Sequence, residues 1–351
     1  MTGQLKILSI GTFWPGETCL QRFEAMKYLG HHVERIETEP NEVGKVRSLT
    51  LRIGRKLFRM GINIRYGFLD VAGVNQRIVD YISNEPFDIL WIDKGLTTRP
   101  DILAEVRRIS PRIRIIGYSP DDMAVRHNQS PYFLECLPLY DVFVTTKSYG
   151  VAELHALGCP RVEFCGNAYD SATHRPIPVD ENDSKRFGGP VGFIGAYEVE
   201  RARSMLRLAS AGIPVRIWGP GWERCRFLNS NLRIERATLI GDDYARAICS
   251  FDINLGFLRK INRDLQTQRS IEIPACGGFM LAERTNEHIA LFEEGIEAEY
   301  FGSDEELIEK TRYYLNREDQ RKRIAKSGRE RCLRDGYSNK DRLADILARI
   351  P

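Results

Sequence analysis

Arg269 and Glu272 stand three residues apart in the run RSIEIPACGGFMLAE (269–283), where residue types and spacing point most directly to chemistry. A guanidinium neutralises a diphosphate through paired hydrogen bonds, and a carboxylate held beside it accepts both hydroxyls of a ribose. A ligand with phosphates and sugar hydroxyls therefore suits the pair. The competing reading is a surface ion pair on a helix, contributing well under ~1 kcal/mol. After the pair come a small-residue helix end (Pro274, Ala275, Cys276), then Gly277 and Gly278, then a buried apolar strand. An ion pair alone does not account for the double glycine.

Other segments of the second half carry similar residue types. VGFIGAYEVERA places Gly192 and Gly195 around a strand end and Arg201 in the first turns of a helix. Glycines let a ligand approach the backbone, and amides at a helix start favour phosphate oxygens. IWGPGW offers Gly219, Gly221 and Trp222, either as a tight turn with a packed Trp or as a ring for a nucleobase to stack on. Asp264 lies in the loop LRKINRDLQTQ before Arg269. In the first half, strand-like runs end at Asp93-Lys94-Gly95 and at Pro120-Asp121-Asp122. Carboxylates there could deprotonate an acceptor hydroxyl: Asp122 first, Asp121 second and Asp93 behind them. Each could equally be a capping or loop-solvating Asp. His31, His32 and His127 are further bases by type, although the pair after Gly30 reads as the start of a strand.

Residues of this kind need a frame. Short, continuous apolar runs (5–11, 31–37, 88–95, 112–119, 141–147, 161–165) alternate with helical patterns through the first half. Continuous hydrophobicity means burial on both faces, hence a parallel sheet between helices. Residues 166–190 break the rhythm with Pro, Gly, Asp and Asn. The alternation then restarts at 190–196, 215–219, 251–257, 278–283 and 298–301, followed by two amphipathic helices in 303–335 and a last one near 338–349. The expected fold is α/β: two doubly wound, Rossmann-like domains facing across a cleft, with ligands beyond the carboxyl ends of the strands. The expected division is 1–168, a linker at 169–189, 190–335, and a final helix at 336–351 crossing back to the first domain.

Composition narrows the function classes. A formal net charge of +3 gives no reason to expect nucleic acid as a bulk partner. No apolar run reaches the ~18 residues of a membrane span, and no signal-peptide core precedes LKILSIG, so a cytoplasmic location is expected. Eight cysteines without a C-x-x-C pair read as free thiols in a reducing compartment. No His/Cys/Asp cluster has metal-ligand spacing, so no metal and no cofactor are expected. One segment stands apart. KVRSLTLRIGRKLFRMGINIRY (45–66) interleaves Lys45, Arg47, Arg52, Arg55, Lys56, Arg59 and Arg65 with aliphatic residues. It reads as a solvated helix face, or as a basic amphipathic segment that meets an anionic membrane surface or a phosphorylated acceptor.

The run at 269–283, the GSDEELIEKTRYYL beyond it and the later R-x-R-I-A-x-x-G-R-E-R resemble the C-terminal domain of CgeB-like glycosyltransferases. These are similar to the wider GT-B group that includes glycosyltransferase family 4. The resemblance covers roughly 190–350, and residues 162–176 resemble the inter-domain crossover of that family. Family 4 carries two Glu separated by seven residues; Glu272 matches the second, which holds the donor's ribose, while Asp264 stands where the first Glu would contact the sugar. The resemblance implies a hexosyltransferase-like enzyme that moves a sugar from a nucleotide-sugar to an acceptor, be it a glycan, a lipid-linked molecule or a small molecule. With the residue types read above, the expected donor contacts are Gly195, Arg201, Gly219, Trp222, Asp264, Arg269, Glu272, Gly277 and Gly278; the resemblance implies no metal, because basic side chains and helix amides stabilise the leaving diphosphate. Two alternatives share the fold: a non-catalytic binding or spore-surface protein, and a nucleotide-sugar epimerase.

Overall fold

The apolar runs of the first half become six strands: β1 Lys6–Gly11, β2 His32–Glu37, β3 Ile89–Asp93, β4 Arg114–Ser119, β5 Val142–Thr145 and β6 Val162–Phe164. The computed structural model describes residues 3–39 and 49–350, so Lys45 and Arg47 of the basic segment lie outside the described residues. The chain divides into two units, 1–166 with 342–351 as unit 1 and 167–341 as unit 2. In unit 1 every strand pairing is parallel and the order is β2-β1-β3-β4-β5-β6. A parallel pair cannot close through a tight turn, so each strand returns along a helix. Those helices are α1 Thr18–Tyr28, α2 Leu49–Arg59, α3 Val74–Asn84, α4 Pro100–Ile109, α5 Pro131–Cys136 and α6 Gly150–Ala156.

Alternate strand residues face opposite layers. Leu8, Ile10, Leu90, Ile92 and Ile115 pack on α3, α4 and α5 through Ile78, Val106 and Phe133. Ile7, Ile89, Trp91, Ile116 and Val144 pack on Ala25 and Met26 of α1 and on Leu343, Ile346 and Leu347. The last three belong to the final helix, α14 (Asn339–Arg349), whose residues from Arg342 onward count with unit 1.

Unit 2 repeats the plan with β7 Gly189–Ile194, β8 Val215–Trp218, β9 Leu232–Ile234, β10 Phe251–Gly256, β11 Met280–Glu283 and β12 Glu299–Phe301, again wholly parallel, in the order β12-β11-β10-β7-β8-β9. Its helices are α7 Glu181–Phe187, α8 Val199–Ser210, α9 Gly241–Ser250, α10 Arg269–Ala275, α11 Asn286–Leu291, α12 Asp304–Leu315 and α13 Glu318–Arg334. Val191, Phe193, Ile253, Leu255 and Leu281 face α8 and α12, whereas Met280, Ala282 and Tyr300 face α9 and α10.

Two segments differ from the sequence reading. The edge strand β9 is half-buried with exposed Arg233 at its centre, so it shows no continuous apolar run. Residues 169–189, expected as a linker, fold into unit 2. Tyr169 makes a parallel bridge to Ser338, and Asp180 caps α7 by accepting the Asp183 amide at 2.7 Å. No helix among the described residues is long and apolar enough to cross a membrane.

The contribution of α14 to the core of unit 1 is measurable. Leu343 is 1% exposed, so Leu343→Ala leaves a cavity in a packed layer. The expected loss is about 2–5 kcal/mol, read from the denaturant midpoint; an unchanged midpoint would show that the helix adds nothing to that core.

Candidate functional site

In each unit the chain leaves its first strand toward both sides of the sheet, β1 toward β2 and β3, β7 toward β8 and β10. Ligands of parallel sheets sit beyond the carboxyl ends of the strands at such a switch point. In unit 2 two backbone segments cross there. Gly219 has φ +139°, and a Cβ on it would lie 2.2 Å from Gly195 O. A Cβ on Gly195 would lie 2.7 Å from the Phe193 ring and 3.4 Å from the Arg269 guanidinium carbon. Only glycines allow these loops to meet. Trp222 locks the crossing from behind: it is fully buried, its indole N–H donates to Gly195 O at 2.8 Å, and the edges of Phe193 and Tyr197 pack against it. No face is left for a nucleobase, so the stacking expected of Trp222 gives way to a supporting role.

Arg269 opens α10 beside this crossing. Its guanidinium lies over the Phe193 ring, 5.7 Å from the centroid, and its buried Nε has no hydrogen-bond partner. Buried donors are rarely left unpaired, and each such case calls for an explanation. Arg201 contrasts with it. That side chain is 2% exposed, and its N–H groups donate to the carbonyls of Ala196, Phe257 and Leu258 at 3.1, 3.4 and 3.3 Å. Burial, and then the nearby charge of Arg269, push it down to about 10. Arg201 holds loops together instead of offering its donors to a ligand, which corrects its assignment as a donor contact.

Glu272 is buried and held from two sides. Tyr244 donates to Oε2 at 2.5 Å, while His174 Nε2 lies 3.6 Å from Oε1. The Asp170 amide donates to Nδ1 of His174 at 3.0 Å, so a neutral His174 carries its proton on Nε2, toward Glu272. The first turn of α10 is also tied to α11: Ser270 Oγ donates to His288 Nε2 at 2.7 Å, and His288 Nδ1 donates to Glu283 O at 2.6 Å. Sequence reasoning missed Tyr244, His174 and His288, because the contacts that give them roles join distant segments. Asp264 is buried in the loop before α10, just after Arg263, whose φ is +50°. Gly277 and Gly278 lie elsewhere. The helix runs antiparallel to the strands, so they follow its far end, on the amino-terminal side of β11. A Cβ on Gly278 would strike Ile248 at 2.6 Å. Gly278 is needed for packing and Gly277 for its left-handed turn (φ +75°), which corrects their place among the donor contacts.

On the other face of the same edge, a recess of about 370 Å³ lies between the starts of α8 and α12. Its carboxylates Glu198 and Glu283 are paired with Arg259 and Lys260.

Unit 1 carries a cavity of about 380 Å³ at its own switch point, beyond β1 and β3. Asp93, Asp121, Glu17 and Lys94 line it. Asp93 is tied down by Arg22, by Cys19 Sγ at 3.2 Å and by Trp91 Nε1 at 3.1 Å. Lys94, a non-glycine residue with φ +61°, reaches Asp121 Oδ2 at 2.5 Å. Backbone strain of this kind clusters at functional sites. Asp122 does not line the cavity. It is fully buried, with Oδ1 accepting the Ala124 amide at 3.2 Å, so the first-choice base is a turn-holding residue. Glu17, just before α1, is exposed and makes no side-chain cap hydrogen bond; partial desolvation by the surrounding loop raises its carboxyl above the ordinary value and Lys94 partly offsets this. Its place in an irregular loop gave no periodic signal. His31 and His32 sit at the start of β2, at the opposite edge of the sheet, and His127 lies in the turn Arg126–Asn128. Among the described residues no three His, Cys, Asp or Glu are grouped to hold a metal ion.

Residues 201–348 match the family model described as Glycosyl transferase-like. Solved structures align over nearly the whole chain. A sucrose-phosphate synthase from Thermosynechococcus elongatus gives a TM-score of 0.67 at 12% identity, covering 99% of both chains. Anabaena HepE, in complex with UDP and glucose, gives 0.62 at 12% identity, covering 98% of this chain and 100% of its own. The fold is GT-B. The N-terminal domain of a Candida albicans trehalose-6-phosphate phosphatase aligns as well, with a TM-score of 0.69 at 11% identity, covering 100% of this chain and 98% of its own. GT-B architecture therefore fixes the frame and leaves the activity to the residues of the site. No curated protein matches the chain by sequence.

The anchor of α10 has a pH dependence with a definite sign. Burial lowers His288 below its ordinary 6.5, so the unfolded chain takes up this proton first. The contribution is present above that value and is lost as the pH falls. Between about pH 7.5 and about pH 5.5, wild-type stability should fall more steeply than that of His288→Gln; parallel profiles would show that this histidine does not carry the dependence.

Proposed function

We propose that this chain is a glycosyltransferase that moves a sugar from a nucleotide-diphosphate-sugar to an acceptor hydroxyl, unit 2 binding the donor and unit 1 the acceptor. The observation that carries the reading is the unpartnered, buried Nε of Arg269 beside the Gly195–Gly219 crossing, with Glu272 one helical turn on. A diphosphate there supplies the missing acceptor and relieves the repulsion between Arg269 and Arg201. Glu272, already oriented by Tyr244 and His174, takes the ribose hydroxyls. Asp264 faces the transferred sugar.

As the bond to the sugar breaks, negative charge gathers on the leaving diphosphate. The Arg269 guanidinium is a fixed charge already in place to meet it, a form of stabilisation that needs no reorganisation. The reading therefore includes independence from metal ions. On the acceptor side, Glu17 is the base: it lines the cavity, is open to solvent there and makes no side-chain cap hydrogen bond, whereas Asp93 and Asp121 are each held by a cation. Asp121, tied to Lys94, takes second place. Placement among CgeB-like enzymes rests on the 269–283 motif. Asp264, standing where family 4 carries Glu, favours one second reading: a protein that binds the donor without transferring it.

Because the Anabaena neighbour holds UDP, uridine diphosphate is the first probe. Arg269→Ala should weaken its binding by about 10- to 100-fold, the weight of a hydrogen bond to a charged group. Unchanged affinity would remove the diphosphate from this position. With a panel of nucleotide-sugars and candidate acceptors, release of nucleoside diphosphate should persist in EDTA and be slowed about 100-fold or more by Glu17→Gln, with donor binding unchanged. Binding without release selects the non-catalytic reading, interconversion of sugars without release selects an epimerase, and no binding of any nucleotide-sugar sinks the proposal.

A further inference from the structure

Among the described residues, helix α2 is fixed to unit 1 by the face that carries Gly54 and Phe58. Gly54 and Gly67 meet backbone to backbone, so that a Cβ on Gly54 would lie 2.6 Å from Gly67 N. Arg55 Nε donates to Gly67 O at 2.8 Å, and buried Phe58 packs between the Phe68 ring at 5.3 Å and the Arg126 guanidinium at 4.1 Å. The opposite face is open. Leu49, Ile53, Lys56 and Met60 succeed one another at intervals of four, three and four, the spacing of a single stripe. Leu49 is 68% exposed and Met60 69%; Ile53 and, beyond the helix, Ile62 are exposed as well. Arg52 and Arg59 flank the stripe and are also exposed.

The charge of the segment is as one-sided as its hydrophobicity. Residues 45–66 contain seven Lys and Arg and no Asp or Glu, in a chain whose formal net charge is +3, so everything outside the segment sums to −4. We propose that the open face of α2 docks unit 1 on an anionic lipid bilayer, with Leu49, Ile53 and Met60 entering the headgroup boundary and Arg52, Lys56 and Arg59 meeting lipid phosphates. Aliphatic side chains ringed by cations match that surface on both counts. A second copy of this face would set cation against cation. A soluble polyanion would leave the apolar stripe in water.

The segment adjoins the unit 1 cavity: Arg55 of α2 and, just beyond the segment, Leu69, Asp70 and Val71 form part of its wall, and Leu69 and Val71 are exposed. Docking brings the mouth of the cavity to the bilayer, which suits an acceptor carried by a lipid. That link rests on the proposed transferase reading; the docking itself does not.

Flotation of the full chain with phosphatidylcholine vesicles, with and without about one-third phosphatidylglycerol, tests the docking. Binding should be at least ~10-fold stronger to the anionic vesicles and weaken with salt. Arg52→Glu/Lys56→Glu/Arg59→Glu should abolish the preference, and Ile53→Asn/Met60→Asn should reduce binding by ~10-fold or more, both with unchanged melting temperature and UDP affinity. No binding to either vesicle, equal binding to both, or full binding by the variants would overturn the proposal. So would a dimer, detected by sedimentation without lipid, that the same variants dissolve. Because UDP affinity is measured on the same proteins, failure of docking and failure of the donor reading are separable.

Discussion

Both sheets are wholly parallel, and the candidate chemistry depends on that constraint. Parallel strands oblige every connection to run back along a helix, so each loop that leaves a strand opens on one edge. In unit 1 this gathers the ends of β1, β3 and β4 around a cavity. In unit 2 it brings the loops after β7 and β8 into the crossing at Gly195 and Gly219. The returning helices carry the opposite sense, so their starts face the edge and their ends lie away from it. This polarity separates Arg269 and Glu272 from Gly277 and Gly278, although all four belong to one short run of sequence.

Charge use at the two edges separates scaffold from site. Arg201 and Arg269 are near neighbours on the same edge, yet one gives its donors to three carbonyls and the other keeps a buried Nε without a partner. A buried cation that is fully engaged stabilises its loops; a half-buried one whose inner Nε lacks a partner marks a place where an anion would be welcome. The carboxylates of unit 1 divide in the same way. Asp93 is bound by Arg22, Cys19 and Trp91, Asp121 is bound by Lys94, and Asp122 holds a turn. Glu17, exposed at the cavity and without a cap hydrogen bond, is the carboxylate left open to an incoming hydroxyl.

The sheets were legible in the sequence because strands buried on both faces write continuous apolar runs; the half-exposed β2 and β6 were found by their place in the alternation with helices. The missed strand, β9, is a half-buried edge strand with exposed Arg233 at its centre, so it writes no continuous apolar run. Legibility of the site was uneven for a physical reason. Arg269 and Glu272 are neighbours on one helix, so local spacing carries the information. Tyr244 and His174 reach Glu272 from 28 and 98 residues away, which no local pattern encodes. Asp121 and Asp122 are adjacent in sequence but project in different directions, so the pair alone cannot tell which one faces the cavity. Trp222 illustrates the remaining ambiguity: an aromatic beside glycines at a strand end is equally a stacking platform or a wedge, and here Gly195 O takes its N–H.

The central claim is that the carboxyl edge of unit 2 holds a nucleoside diphosphate. Hydrogen exchange of the intact chain, with and without UDP, GDP or ADP, puts that claim to the test. At least one diphosphate should protect backbone amides around 194–197, 218–221 and 267–272, while the cavity segments near 11–19 and 93–98 stay unchanged. Protection confined to unit 1, or none with any diphosphate, would contradict it.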